Sequence, residues 1–117
     1  MMTTGMRGTR AEELAAKYLT SAGLKLVARN YRSRFGEIDL IMLDGEILVF
    51  IEVRYRASNK FGGALASVDA KKQAKLSKTA TTYLLKHHAL NQPARFDVLC
   101  MSGELSSPIY DWISNAF

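Results

Sequence analysis

The sequence has 117 residues, enough for one domain with a real core and too few for two. Apolar residues make up 48% and mean hydropathy is −0.06, as in an ordinary globular chain. The longest apolar run, residues 47–51, is far too short to span a bilayer, so no membrane partner is expected. Sixteen basic against eleven acidic residues give a net charge of +5 and a pI near 9.5, a balance that favours a polyanionic partner, nucleic acid first.

Residues 1–8 are small, polar and glycine-containing, lack the apolar stretch of a secretion signal, and are expected to be flexible. Thr9-Arg10-Ala11-Glu12 has capping-box spacing and predicts the start of a helix. Its apolar face is Ala11, Leu14, Ala15, Tyr18, Leu19 and Ala22, and Gly23 closes it. Residues 25–30 predict a short strand that leads into a basic cluster, Arg29, Arg32 and Arg34.

Residues 36–54 organise the chain. Two apolar runs flank Asp44-Gly45, a pair that tolerates the positive φ of a type I′ turn, so an antiparallel hairpin is predicted. With Asp44 and Gly45 as the loop, Leu43 lies opposite Glu46 and Asp39 opposite Phe50. Alternation then puts Ile38, Leu40, Met42, Ile47, Val49, Ile51 and Val53 on one face. Glu37, Asp39, Ile41, Leu48, Phe50, Glu52 and Arg54 share the other. In this register Asp39 and Glu52 are diagonal neighbours, about 7–8 Å apart, and can hold one cation between them. Charged groups in apolar strands are costly to bury unless paired or metal-bound. Because Ile41, Leu48 and Phe50 share the acidic face, a binding site explains it better than a wet sheet edge.

After Arg54 the chain is basic, aromatic and glycine-rich, with Arg56 and Lys60, and residues 57–66 are expected to form a mobile loop. That loop is either a connector or a phosphate-contacting flap. A second helix is predicted over residues 68–88, with Gln73, Leu76, Ala80, Tyr83 and Leu84 on one face. Lys71, Lys75 and Lys78 line another, an arrangement that is commonly only a solvated face. His87 and His88 suit the helix C-terminus and, pointing apart, make no metal pair. Asn91-Gln92-Pro93 predicts a turn, residues 95–101 a strand and residues 109–113 a last short strand or turn. Cys100 is the sole cysteine, so it forms no internal disulfide. It reads as a small core residue in a chain suited to a reducing, cytoplasmic setting. The order α-β-β-β-α-β-β predicts a single α/β domain over residues 1–117, a mixed sheet of about five strands flanked by helices.

A carboxylate pair beside a cation suits phosphodiester hydrolysis, because magnesium takes oxygen ligands, acidifies a bound water and offsets developing charge. Asp39, followed after the turn by Glu52-Val53-Arg54, resembles the PD-(D/E)XK nuclease pattern. The wider match runs almost end to end. Gly8-x-x-Ala11-Glu12-x-x-Ala15-x-x-Tyr18-Leu19, Arg29-Asn30-Tyr31, Gly36-Glu37-Ile38-Asp39-Leu40-Ile41 and Val49-Phe50-Ile51-Glu52-Val53-Arg54-Tyr55-Arg56 carry most of it. Lys72-Gln73-x-Lys75-Leu76, Arg95-Phe96-Asp97-Val98 and Trp112-Ile113-x-Asn115-Ala116-Phe117 complete it. Together these segments are similar to the bacterial YraN-like family of uncharacterised, predicted nucleases.

The resemblance implies a restriction-endonuclease-like core related to archaeal Holliday-junction resolvases. It makes Asp39 and Glu52 ligands of Mg²⁺ or Mn²⁺, with the Val53 carbonyl as a third, Glu12 completing the site and Gln73 facing it. Against those roles, the capping box already accounts for Glu12, and a polar place at the core edge accounts for Gln73. The motif's usual lysine is Arg54 here. Arginine stays charged, so it cannot act as a base, yet it can orient a phosphate bidentately. The function expected is a Mg²⁺-dependent endonuclease acting on DNA, branched or otherwise structured. The alternative is a nucleic-acid-binding module of the same fold with little or no cleavage. A protein-interaction domain whose carboxylates are structural stands third. Arg29, Arg32, Arg34, Arg56, Lys60, Lys71, Lys72 and Lys75 are the expected nucleic-acid contacts, and a homodimer is expected by analogy with the resolvases.

Overall fold

A computed structural model describes residues 4–57 and 65–117. The elements are α1 (Thr4–Ser21), β1 (Lys25–Ser33), β2 (Gly36–Asp44), β3 (Ile47–Arg56), α2 (Ala70–Lys86), β4 (Ala94–Ser102) and β5 (Ile109–Ile113). A 3₁₀ turn at Leu65–Ser67 precedes α2. The strands form one five-stranded sheet in the order β1-β2-β3-β4-β5. β3 and β4 run parallel, and the other neighbours are antiparallel. This is the predicted mixed α/β fold in the predicted order. Of the expected mobile loop, residues 58–64 lie outside the described residues, and Lys60 with them. Among the described residues no helix is long and apolar enough to cross a membrane.

The central strands are apolar on both faces, and each face is covered by a helix. Leu40, Met42, Val49, Ile51, Leu99 and Met101 pack with Ala11, Ala15, Ala16 and Leu19 of α1. Ile41, Leu48, Phe50 and Val98 pack with Leu76, Ala80 and Tyr83 of α2. Small alanines on α1 let the helix lie close to the sheet, so Ala16 is buried and the expected Ala22 is exposed. Ile38 departs from the predicted pattern: it packs with the α2 cluster while Leu40 packs toward α1. Strand alternation therefore slips at the intervening residue, Asp39.

α1 begins at Thr4, so Thr9 lies inside the helix and the predicted capping box does not form. Gly5 and Gly8 weaken a helix without ending one. The C-terminus follows expectation: the Leu24 N–H bonds to the Leu19 carbonyl and the Gly23 N–H to that of Thr20, with Leu19 and Leu24 in one core cluster. α2 is capped by Asp69, whose carboxylate accepts from the Lys72 N–H at 2.8 Å.

The central hairpin forms with a shifted turn. Asp44 pairs with Ile47, which makes Gly45 and Glu46 the loop residues. Gly45 has φ +60°, whereas Glu46 is not among the residues of positive φ, as in a type II′ turn with glycine first. Asp44 stays in the strand, where its carboxylate accepts from Arg95 at 2.9 Å. The register moves by two residues, so face parity survives, and extending the ladder puts Asp39 opposite Glu52 rather than opposite Phe50.

The C-terminal segment is fastened to the sheet through Asp97, whose side chain is fully buried. Its carboxylate accepts from Arg95 Nε (3.0 Å), Trp112 Nε1 (2.9 Å) and the Asn115 N–H (2.9 Å). Phe117 stacks on Phe96 beside it. The Arg95-Phe96-Asp97 and Trp112-to-Phe117 segments thus have a structural explanation, and the carboxylates of the candidate site lie elsewhere.

Candidate functional site

The site is built where the central hairpin opens. The β2–β3 ladder begins at Leu40↔Ile51, and Asp39 lies one residue beyond it. There the Asp39 carboxylate replaces a ladder partner: its Oδ2 accepts from the Val53 N–H at 2.8 Å. Val53 itself is paired on its other side with Leu99 of β4. A side chain lodged between parting strands is reachable from both faces of the sheet, and Asp39 has neighbours on both.

On one side stand Glu12 of α1 and Glu37 of β2. Glu12, Glu37 and Asp39 each offer a carboxylate oxygen, and these atoms all lie within 4.8 Å of one another. The two glutamates are bridged by Asn30 of β1, whose amide, turned so that its nitrogen faces them, donates to Glu12 Oε2 (3.1 Å) and Glu37 Oε1 (2.8 Å). Asn30 has φ +50°, an unusual conformation that asparagine tolerates better than most residues and that marks local constraint.

On the other side, Glu52 of β3 is 5% exposed and faces α2. Its Oε2 lies 3.3 Å from Lys72 Nζ and 3.6 Å from Arg54 Nη2. Neither contact has hydrogen-bonding geometry: Glu52 Oε2 and Arg54 Nε are both buried without a hydrogen-bond partner. Unsatisfied buried polar atoms are rare in folded chains, and a pair of them in one cluster points to a group still to be bound.

Burial and the adjoining Glu52 carboxyl push Asp39 up to about 9 from its ordinary 3.8. Glu12 is also raised, by burial first and by the charge of Glu37, with its hydrogen bonds to Asp39 and Asn30 opposing. Burial first, and neighbouring carboxylates next, favour the protonated forms of Asp39 and Glu12, unless a cation joins them.

The structure thus joins Asp39, Glu52, Arg54 and Glu12 of the predicted residues, and it removes the capping-box explanation of Glu12. Val53 enters through its N–H, whereas the expectation concerned its carbonyl. Gln73 keeps to the core edge: its Nε2 donates to the Val68 carbonyl at 3.0 Å. The predicted arginine cluster is divided. Arg29 lines a shallow groove beside α1 with Lys17 and Thr20. Arg32 pairs with Glu37 at 3.4 Å, and Arg34 lies over the Phe35 ring. Lys72 belongs to the acidic site itself, while Lys71, Lys75 and Arg56 are exposed.

Sequence reasoning missed Glu37 as a candidate ligand: alternation put it on the face of Glu52, whereas the slip at Asp39 accompanies its place beside Glu12. It also missed Asn30 and the placement of Lys72. Neither has a local signal, since both depend on how β1 and α2 meet the hairpin.

Comparison with known proteins supports the family resemblance, and the relatives are uncharacterised. Residues 11–101 match the model of the uncharacterised protein family UPF0102. A UPF0102 protein of Nitrosomonas europaea is 48% identical over 117 residues, covering 100% of this chain and 98% of its own. One from Alcanivorax borkumensis is 51% identical over 112 residues, 94% of this chain and 90% of its own. One from Methylococcus capsulatus is 48% identical over 111 residues, 95% and 89% respectively.

Proposed function

This chain belongs to the uncharacterised UPF0102 family, and from that premise we propose that it is a divalent-cation-dependent endonuclease that hydrolyses phosphodiester bonds in DNA, branched or structured DNA being the substrate class. The observation that carries the reading is the seat of Asp39 in the opening hairpin, between Glu12 and Glu37 on one side and Glu52 with two cations on the other. The mixed five-stranded sheet in the order α-β-β-β-α-β-β supports the PD-(D/E)XK, restriction-endonuclease-like reading.

The residues fit a hard cation such as Mg²⁺ or Mn²⁺. All side-chain donors are carboxylate oxygens, Glu52 Oε2 has no hydrogen bond, and burial together with the adjoining Glu52 carboxyl raises Asp39, a cost that a bound cation would offset. Asp39 and Glu52 would hold the ion, with Glu12, Glu37 and the Val53 carbonyl as further donors. Bound there, it would supply an acidified water and offset charge on the phosphoryl group. Arginine is a permanent cation, and the Arg54 side chain is 27% exposed, so its guanidinium would orient the scissile phosphate. Lys72, against the same Glu52 oxygen as Arg54, would add a second positive charge to offset charge developing on the phosphoryl group. Asn30 fixes the two outer glutamates.

The second reading, a nucleic-acid-binding module with little or no cleavage, draws its support from Arg54, which stands where the motif has lysine. One assay separates the two. Duplex, single-stranded, flap and four-way DNA are incubated with Mg²⁺, with wild type and with Asp39→Ala. The nuclease reading expects Mg²⁺-dependent cleavage of at least one substrate that Asp39→Ala lacks. Tight binding of all four without cleavage would favour the binding module, and cleavage undiminished in Asp39→Ala would mean that the activity belongs to another protein.

A further inference from the structure

We propose that Phe35 is a stacking platform for an unpaired base, and that a single strand of nucleic acid runs from it along α2 to the carboxylate cluster. This rests on the nucleic-acid reading above and adds to it a strand path and a preference for unpaired substrate.

Phe35 sits at the tip of the β1–β2 connection, half-buried and without a ring partner among the described residues. Its companions are cations. The Arg34 guanidinium lies 4.8 Å from the ring centroid and Lys78 Nζ 5.6 Å, both within cation–π range. Side chains that stack on aromatics and carry positive charge are the components of sequence-tolerant single-strand binding: bases stack on the ring and phosphates meet the cations.

The tip is held rigidly. Thr79 Oγ1 is buried and donates to the Lys75 carbonyl at 2.9 Å, so the 3.0 Å contact from Ser33 Oγ has serine as the donor. The Phe35 N–H donates in turn to Ser33 Oγ at 3.1 Å. Three hydrogen bonds in series thereby clamp the turn onto α2. Gly36, at φ +155°, supplies a backbone conformation that a side chain would strain, and its Cβ position would touch both Lys75 and Thr79. A ring presented on a clamped turn costs little ordering when a base stacks on it.

The path to the site is marked by lysines. Lys72 contacts Glu52, Lys75 passes over Gly36, and Lys78 reaches Phe35. They span about 9 Å of helix at 1.5 Å per residue. Along β2, Phe35 and Asp39 are about 13 Å apart at 3.3 Å per residue. Residues 25–36 and 70–86, which meet here, contain nine lysines and arginines and no acidic residue.

The test uses the full chain, a dye-labelled oligothymidylate and a duplex of matched length, with binding followed by fluorescence anisotropy across a salt series. Phe35→Ala should weaken oligothymidylate binding about tenfold or more, the loss typical of one stacked base, while its salt slope stays that of wild type. Phe35→Trp should restore affinity, and its added fluorescence should be quenched by oligothymidylate. Duplex binding should change by less than about twofold, as expected where bases are already stacked on each other. Oligothymidylate affinity unchanged in Phe35→Ala, or an unquenched tryptophan in Phe35→Trp, overturns the platform and leaves the endonuclease reading standing. Wild type that binds neither probe at low salt overturns both.

Discussion

At the scale of single residues, Arg54 and Asn30 make the sharpest claims. Arg54 lies beside Glu52 with a buried, partnerless Nε. If its work is to clamp a phosphate, charge and reach matter and a removable proton does not. Arg54→Lys should then retain part of the cleavage rate, and Arg54→Ala should lose most of it, on the order of 10²-fold or more as for other groups that stabilise developing charge. Divalent-ion binding should survive in both. A rise in activity on Arg54→Lys would instead identify arginine as the residue that disables the site. Asn30 acts at one remove, by holding Glu12 and Glu37 in place through its amide. Asn30→Gly keeps the positive φ accessible and deletes only that amide. Groups that orient metal ligands typically account for 10–100-fold in affinity, so calorimetric titration with Mn²⁺ should show a loss of roughly tenfold or more. Unchanged affinity would reduce Asn30 to a turn residue.

At the scale of elements, the hairpin decides the site, and its chemistry makes a pH prediction. Asp39 binds its proton more tightly folded than unfolded, being pushed up to about 9 from 3.8. Between those values the unfolded chain releases a proton that the folded chain keeps. Stability without metal should therefore fall as pH rises through that window. Melting temperatures in EDTA should show this decline. Asp39→Asn should flatten it, and Mg²⁺ should lift the curve most at its alkaline end. A melting temperature that climbs from pH 5 to 8 in EDTA would contradict the buried-proton account. The same hairpin shows what a sequence carries and what it does not. Parity along β3 and from Leu40 onward in β2 was legible because it depends only on alternation, and so was the approach of Asp39 to Glu52, expected on the diagonal and found directly across. The turn was misassigned because Asp44-Gly45 and Gly45-Glu46 both suit a tight loop, and the choice falls to a distant partner, Arg95, which holds Asp44 in the strand. Thr9 misled similarly, since its capping-box spacing is real and the helix runs through it. The slip at Asp39 and the arrival of Lys72 at Glu52 are tertiary facts with no local trace.

At the scale of the whole molecule, four of the eleven acidic residues, Glu12, Glu37, Asp39 and Glu52, gather at the opened hairpin, while residues 25–36 and 70–86 carry lysines and arginines and no acidic residue. A surface of that kind binds polyanions chiefly through counterion release, so DNA affinity should fall steadily as salt rises. Replacing Lys75 and Lys78 together by alanine should lower the slope of log affinity against log salt by roughly two, about one per phosphate contact. A flat response in wild type would favour a protein-interaction domain. A further consequence follows from the parallel β3–β4 pairing, whose partners, such as Leu48 and Ala94, are separated in the chain by all of α2. The carboxylates belong to α1 and the β1–β2–β3 meander, all of it N-terminal to that separation. Near-neighbour pairings close early and distant ones late. The negative charges should accordingly be driven together while the sheet is still half built, and repulsion should slow the search for the final pairing. Magnesium should then raise the refolding rate, read by Trp112 as β5 docks, and leave the unfolding rate nearly unchanged, the mark of contacts made by the transition state. If magnesium slows unfolding alone, the cluster assembles only after β4 has found β3.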